Sequence, residues 1–267
     1  MHYEVITLLN NLGTFAGASG DHQKASDYFS QSLALLEQVL GPEHPDLTVI
    51  CGNAGTAALS SGDNDRALQL LTRALELTRR IRGAEHPEIA RINNNLAGVY
   101  TRVGDYGRAL ELHRAALELR RKLLGATHAD TANSASNTGD ALLNLGRPAE
   151  AMPYFDEAIA SFAATLGEAH PSYGAVLAYR GIAEAKLGKT RAGIAAIERG
   201  IAIMTAVADP PLQHLGDARL GLALALWPRD RVRARAQARQ ARDHFLSFGS
   251  GTARELGIAD AWLAAHR

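Results

Sequence analysis

Four asparagines recur at steps of 42 residues, Asn11, Asn53, Asn95 and Asn137, with Tyr179 at the fifth position. A primary amide carries donors and an acceptor, so a row of them along one surface can hold the backbone of an extended peptide whatever its side chains. The competing use is internal, each amide bonding to the neighbouring helix. Asn10, Asn94, Thr14, Thr56, Arg91, Arg102 and Asn133 flank the row. Their types change along the chain, which is what side-chain selectivity needs and an invariant row cannot supply.

Other residues invite chemistry and fail on geometry or pattern. His44, His86, His128 and His170 also recur at steps of 42. Each belongs to a different repeat, and packed helices stand roughly 8–10 Å apart, whereas ligands of one zinc lie about 2 Å from it. Turn capping and packing is the expected role, and no metal or other cofactor is expected. Arg231, Arg235 and Arg239 share one helical face, with Arg233 and Arg242 nearby, and no aromatic residue interleaves them. A solvated helix face is expected there rather than a nucleic-acid surface. Cys51 falls at an apolar-periodic position and reads as a buried small hydrophobe. The sequence holds no phosphate loop, Gly-x-Gly-x-x-Gly, Gly-x-Ser-x-Gly, kinase signature or His-Glu-x-x-His motif, so no catalytic residues are assigned.

Composition narrows the classes further. The 267 residues balance 28 Lys and Arg against 28 Asp and Glu, which argues against a nucleic-acid or membrane-surface partner. A single cysteine excludes an internal disulfide and fits a reducing compartment. No leader and no apolar run long enough to span a membrane stands out, so a cytoplasmic location is expected. The preference for arginine over lysine, only Lys24, Lys122, Lys186 and Lys189 being lysines, suggests a GC-rich, bacterial genome.

The elements that must position these residues repeat with the same period. Gly20, Gly62, Gly104, Gly146 and Gly188 are each 42 apart. Seven residues before each stands a small residue, Gly13, Gly55, Ala97, Gly139 or Gly181, and thirteen after each a large one, Leu33, Leu75, Leu117, Ile159 or Ile201. Small and large slots at fixed positions are what closely packed helices require. Apolar spacing over Tyr3 to Ser19, Leu47 to Ser61 and Glu88 to Val103, and between Gly20 and Gly41, is helical. Each unit is therefore a helix A, a glycine turn, a helix B and a longer turn of the type Gly41-Pro42-Glu43-His44-Pro45. In that turn, glycine ends helix B in the left-handed conformation and proline begins the next helix A. Helix A is expected to line the concave side of the stack, and the asparagines with it.

The small slots and glycine turn resemble the tetratricopeptide repeat (TPR), although the period exceeds that family's ~34 residues. Leu8-Leu9-Asn10-Asn11-Leu12-Gly13 and Ile92-Asn93-Asn94-Asn95-Leu96-Ala97, with Leu40-Gly41-Pro42-Glu43-His44-Pro45, resemble the kinesin-light-chain type. The resemblance implies an all-α, right-handed superhelix of about six helix pairs, and a groove in which the asparagine holds cargo peptides. Units are expected at about 3–45, 46–87, 88–129, 130–171 and 172–210, then a degenerate pair at 211–248. The solenoid thus covers 1–248 and a C-terminal capping helix 249–267. The tail, Arg231-Val232-Arg233-Ala234-Arg235 through Trp262-Leu263-Ala264-Ala265-His266-Arg267, resembles the end of the TPR regions of bacterial serine/threonine kinases.

The expected function is a non-enzymatic module binding a protein or peptide in the groove. One alternative is a regulatory or scaffold region of such a kinase, its catalytic domain outside this chain; another is the helical-repeat part of a transcriptional regulator. Helix A of the first unit begins without a polar cap, so either the chain is a piece of a longer protein or this face pairs with another chain.

Overall fold

The computed structural model describes residues 2–266, so the expected limits at Met1 and Arg267 lie outside the described residues. Within them there are only helices. The A helices are α1 (His2–Ala18), α3 (Leu47–Ser61), α5 (Pro87–Val103), α7 (Ala129–Asn144), α9 (Pro171–Lys186) and α11 (Leu212–Leu226). The B helices are α2 (His22–Leu40), α4 (Asn64–Arg82), α6 (Tyr106–Leu124), α8 (Pro148–Thr165), α10 (Thr190–Thr205) and α12 (Arg231–Phe248). A short 3-10 turn, Ser250–Thr252, leads into α13 (Ala253–Ala265).

Two kinds of side-chain cap recur at the starts of these helices. The Nδ1 atoms of His86, His128 and His170 accept the backbone N–H two residues on, at 3.1–3.2 Å, which satisfies a donor that the first helical turn leaves open; His44 Nδ1 accepts from the N–H of Asp46, the residue just before α3, at 3.3 Å. The B helices α2, α4 and α12 are capped instead by the carboxylates of Asp21, Asp63 and Asp230. The glycines are also of two kinds. Gly62 and Gly104, between helices A and B, are left-handed with φ 87° and 84° and ψ near zero (3° and 7°). Gly41 and Gly83, after helices B, share the positive φ but have ψ of 167° and 168°. The expected left-handed helical C-cap is therefore not what ends helix B: the chain leaves in an extended mirror-image conformation that is essentially open to glycine alone.

Packing within each pair rests on the small slots, but the residue filling each gap is not the expected one. A Cβ on Gly13 would lie 2.8 Å from Phe29, one on Gly55 2.6 Å from Leu71, one on Gly139 2.6 Å from Phe155, and one on Gly181 2.9 Å from Ile197. The large partner stands nine residues after the turn glycine, not thirteen, because helix B runs back antiparallel and its first two turns face the end of helix A. Leu33, Leu75, Leu117 and Ile201 are still buried.

The chain divides into two compact units, residues 1–119 and 120–267. The core of the first runs from Ile6 through Phe29, Leu36, Leu47, Leu71 and Ile92 to Val99, with Cys51 fully inside it. The core of the second includes Ile197, Met204, Leu215 and Leu222, with Trp227 and Trp262 packed against it. Phe245 of α12 and Ala259 of α13 close its end.

Candidate functional site

In the first unit the A helices α1, α3 and α5 lie side by side. Their facing side chains are linked laterally. Asn53 Nδ2 donates to Asn10 Oδ1 across a long 3.4 Å, and Asn95 Nδ2 donates to the Thr56 hydroxyl at 2.8 Å. That hydroxyl in turn donates to Gly52 O at 2.8 Å, and Thr14 donates to Asn10 O at 2.9 Å. The bond to the neighbouring helix, the competing use for the repeated asparagine, is thus made by two of the four. One such bond uses a single donor, and the amide retains capacity for a second partner.

Asn11 and Asn133 are exposed on α1 and α7, and Asn137 is exposed on α7 in the second unit. Asn94 faces elsewhere: its Oδ1 meets Nδ1 of the buried His113 at 2.9 Å, which ties α5 to α6. Arg102 reaches from α5 to the carbonyl oxygen of Leu59 on α3. Arg91 pairs with Glu88 one turn before it, its Nε 3.0 Å from Oε1, and its guanidinium lies over Gly52. A Cβ on Gly52 would stand 2.6 Å from that guanidinium, so the glycine is what lets the arginine lie down.

A cavity of about 220 Å³ opens beside these residues. Asn53, Thr56, Ser60 and Arg91 supply its polar edge; Gly13, Gly17, Phe29 and Ala57 supply an apolar floor. The missing side chains at Gly13 and Gly17 are part of what makes the room. Among the sequence candidates, Thr14, Asn53, Thr56 and Arg91 meet in this cavity, whereas Asn10, Asn11, Asn94, Asn95 and Arg102 are not in its lining.

The second unit holds a polar cluster that the repeat pattern only half announces. The hydroxyl of Tyr179 on α9 is 2.7 Å from His214 Nδ1 and 3.1 Å from Asp217 Oδ2, both on α11. With one proton on the hydroxyl, His214 Nδ1–H donates to it while it donates to Asp217. Asp140 of α7 accepts from Asn144 Nδ2 at 3.2 Å. Surrounding protein pushes Asp140 up to about 6, aided by the Glu255 charge and opposed by Arg254. Burial likewise raises Asp217 well above the usual carboxylate range, with Asp140 and Glu255 adding to it and the Tyr179 hydrogen bond working the other way. The surrounding protein lowers His214, although the residue itself is exposed. Tyr179 occupies the asparagine slot, which was the available signal; His214 and Asp217 lie in the sixth pair, where the 42-residue register lapses.

The basic cluster on α12 is not aromatic-free in three dimensions. Arg231 and Arg235 lie over the ring of Trp227 at 5.1 and 5.7 Å, Arg233 pairs with Glu198, and Arg242 Nε is 2.6 Å from Asp260. Trp227 terminates the preceding helix, so the sequence of α12 alone conceals it. These partners engage Arg231, Arg233, Arg235 and Arg242 in packing α12 against α10, the end of α11, and α13. Among the described residues no three His, Cys, Asp or Glu side chains are placed to hold one metal ion. No described helix is long and apolar enough to cross a membrane.

Models of the tetratricopeptide repeat match residues 4–80, 52–114 and 88–164, and a second model of the same repeat matches 136–211. The chain is a member of the TPR family. Among solved structures this TPR chain is similar to a Podosopora anserina protein of kinesin-light-chain type with nearly identical TPR-like repeats, at 23% identity, TM-score 0.66, and coverage of 77% of this chain and 97% of that one. It is similar to BtubC (BKLC) from P. vanneervenii at 19% identity and TM-score 0.58, over 90% of this chain and 91% of that one. A Rap protein complexed with Competence and Sporulation Factor matches at 19% identity and TM-score 0.67, over 98% of this chain and 76% of that one. At these identities the likeness is one of fold. No curated protein matches the sequence significantly.

Proposed function

We propose that this TPR chain is an interaction module, without catalysis of its own, that takes an extended protein segment along its A helices. The observation that carries the reading is the cavity bordered by Asn53, Thr56 and Arg91. It joins an apolar floor, suited to one side chain of a ligand, to amide and hydroxyl groups suited to the ligand's backbone. Asn10, Asn11 and Asn95 extend the same polar surface on α1 and α5, with Arg102 at its edge. Asn94 braces the surface from behind through His113. Asn137 offers the same amide on the second unit. That a Rap protein of this fold is complexed with Competence and Sporulation Factor supports a partner being held by such a scaffold.

The test is selection from a displayed library of random peptides, followed by titration of the selected peptides against wild type and Ser60→Trp. Ser60 lines the cavity and is half-buried, so an indole there fills the space without entering the core. Peptides that bind wild type and lose at least about tenfold in affinity, roughly 1.4 kcal/mol, to the folded variant place the ligand here. Peptides indifferent to Ser60→Trp and to Asn53→Ala with Asn95→Ala remove the reading.

A further inference from the structure

Helix α1 carries a second face that the groove does not use. Val5, Leu8, Leu12 and Phe15 are 42%, 56%, 37% and 72% exposed. The positions 42 residues on are Leu47, Ile50, Ala54 and Ala57, and those 84 on are Ile89, Ile92, Leu96 and Val99; all eight are buried. The face exposed on α1 is therefore the one that later repeats bury, with Leu12 and Phe15 here where α3 has Ala54 and Ala57. From Val5 to Gly20 the sequence has no ionisable residue. At 100° per residue, Asn10 and Thr14 lie on another side of the helix.

We infer that this face pairs with the same face of a second copy of the chain, the two α1 helices running antiparallel about a two-fold axis beside residue 10. Three features of α1 select a second copy over an unrelated helix. The spacing 5, 8, 12, 15 is a three–four–three seam, the pattern by which two helices interlock. It is symmetric about residue 10, so a two-fold axis sets Leu8 against Leu12 of the second copy and the short Val5 against the long Phe15. The small side chain faces the large one on both sides of the axis, as a self-complementary contact demands. No charge lies in the seam, so two identical faces meet without like-charge repulsion, and the antiparallel arrangement also sets the helix dipoles in opposite senses.

Sedimentation equilibrium from low to high micromolar concentration tests this on the full chain. Wild type is expected to rise from one chain to two and stop there, while Phe15→Glu stays at one chain with an unchanged far-ultraviolet circular dichroism spectrum. A complementary pair guards against mere misfolding: Leu8→Glu and Leu12→Lys are each expected to be single chains alone, and to form a two-chain species when mixed, since the mixed pair restores one leucine contact and gains one opposite-charge contact. A wild-type chain that is single at every concentration overturns the inference and leaves the face to a different partner. Association that continues past two chains, a dimer indifferent to Phe15→Glu, or a mixture that fails to pair overturns it as well.

Discussion

Gly55 of α3 lies so close to Leu71 of α4 that a Cβ would stand 2.6 Å from Leu71 Cγ and 3.2 Å from its backbone nitrogen. The backbone atom cannot swing aside, so Gly55→Ala must push the two helices apart. A loss of about 1–3 kcal/mol is expected, in the range of overpacked cores, read as a lower urea midpoint. Gly17→Ala is the control: its Cβ would meet only Ala25, at an ordinary 3.7 Å. With alanine the better helix former by about 1 kcal/mol, that variant should be neutral or more stable than wild type. Equal effects at the two sites would refute the close-approach argument.

Gly83 should tolerate no side chain although nothing crowds it. Its φ of 84° with ψ of 168° is a conformation that L-residues avoid, not a tight space. Gly83→Ala is expected to cost about 1–3 kcal/mol by thermal or urea unfolding. An unchanged midpoint would show that the turn relaxes freely.

The histidine caps should be worth about 1 kcal/mol each, the usual value of an N-cap side chain. His86→Ala removes the acceptor of the Glu88 N–H, whereas His86→Asn or His86→Ser keeps one in reach. Partial recovery of the unfolding midpoint by asparagine or serine is expected. If alanine and asparagine behave alike, packing of the ring and not its nitrogen is what matters.

The polar cluster of the second unit should make stability depend on pH. A carboxyl whose folded pKa is raised binds more protons folded than unfolded, so its contribution is complete below the unfolded value of 3.8 and is lost as pH rises through about 6 for Asp140. For Asp140 the loss between pH 4.5 and 7.5 is on the order of 2 kcal/mol, and Asp217 acts in the same sense. His214 and His244 oppose it: their lowered pKa values, set by burial, remove stability as pH falls below 6.5. Both carboxyl shifts are large and both imidazole shifts are smaller, so the urea midpoint is expected to be higher at pH 5 than at pH 7.5, and Asp140→Asn should flatten the difference. A midpoint that climbs steadily to pH 7.5 would contradict this balance.

Much of the architecture was legible because a repeat multiplies every weak signal. A single Gly-x-x-His-Pro turn means little; the same turn at 42-residue intervals marks where helices B end and helices A begin. What the pattern hid was always relational. It showed that slots such as Gly13 are small, yet the residue that fills the gap, Phe29 and not Leu33, depends on how far helix B slides along helix A. It showed positive-φ glycines but not that Gly41 and Gly62 differ in ψ. The asparagine row stood out, but not the lateral bonds from Asn53 to Asn10 and from Asn95 to Thr56, which join residues 43 and 39 apart, off the strict period. His214, Asp217 and Trp227 escaped because the sixth pair abandons the register altogether.

Both tryptophans of the chain, Trp227 and Trp262, stand 5.4 Å apart edge to face, with His266 stacked on the second. Indole emission excited at the red edge therefore comes from the last three helices alone. Helical ellipticity, by contrast, averages over every repeat. Recorded on one sample, the two signals form a built-in pair of local and global probes. In a fold whose stability is a sum of units and interfaces, a gap between their transitions would measure how far melting at one end of the chain is uncoupled from the rest.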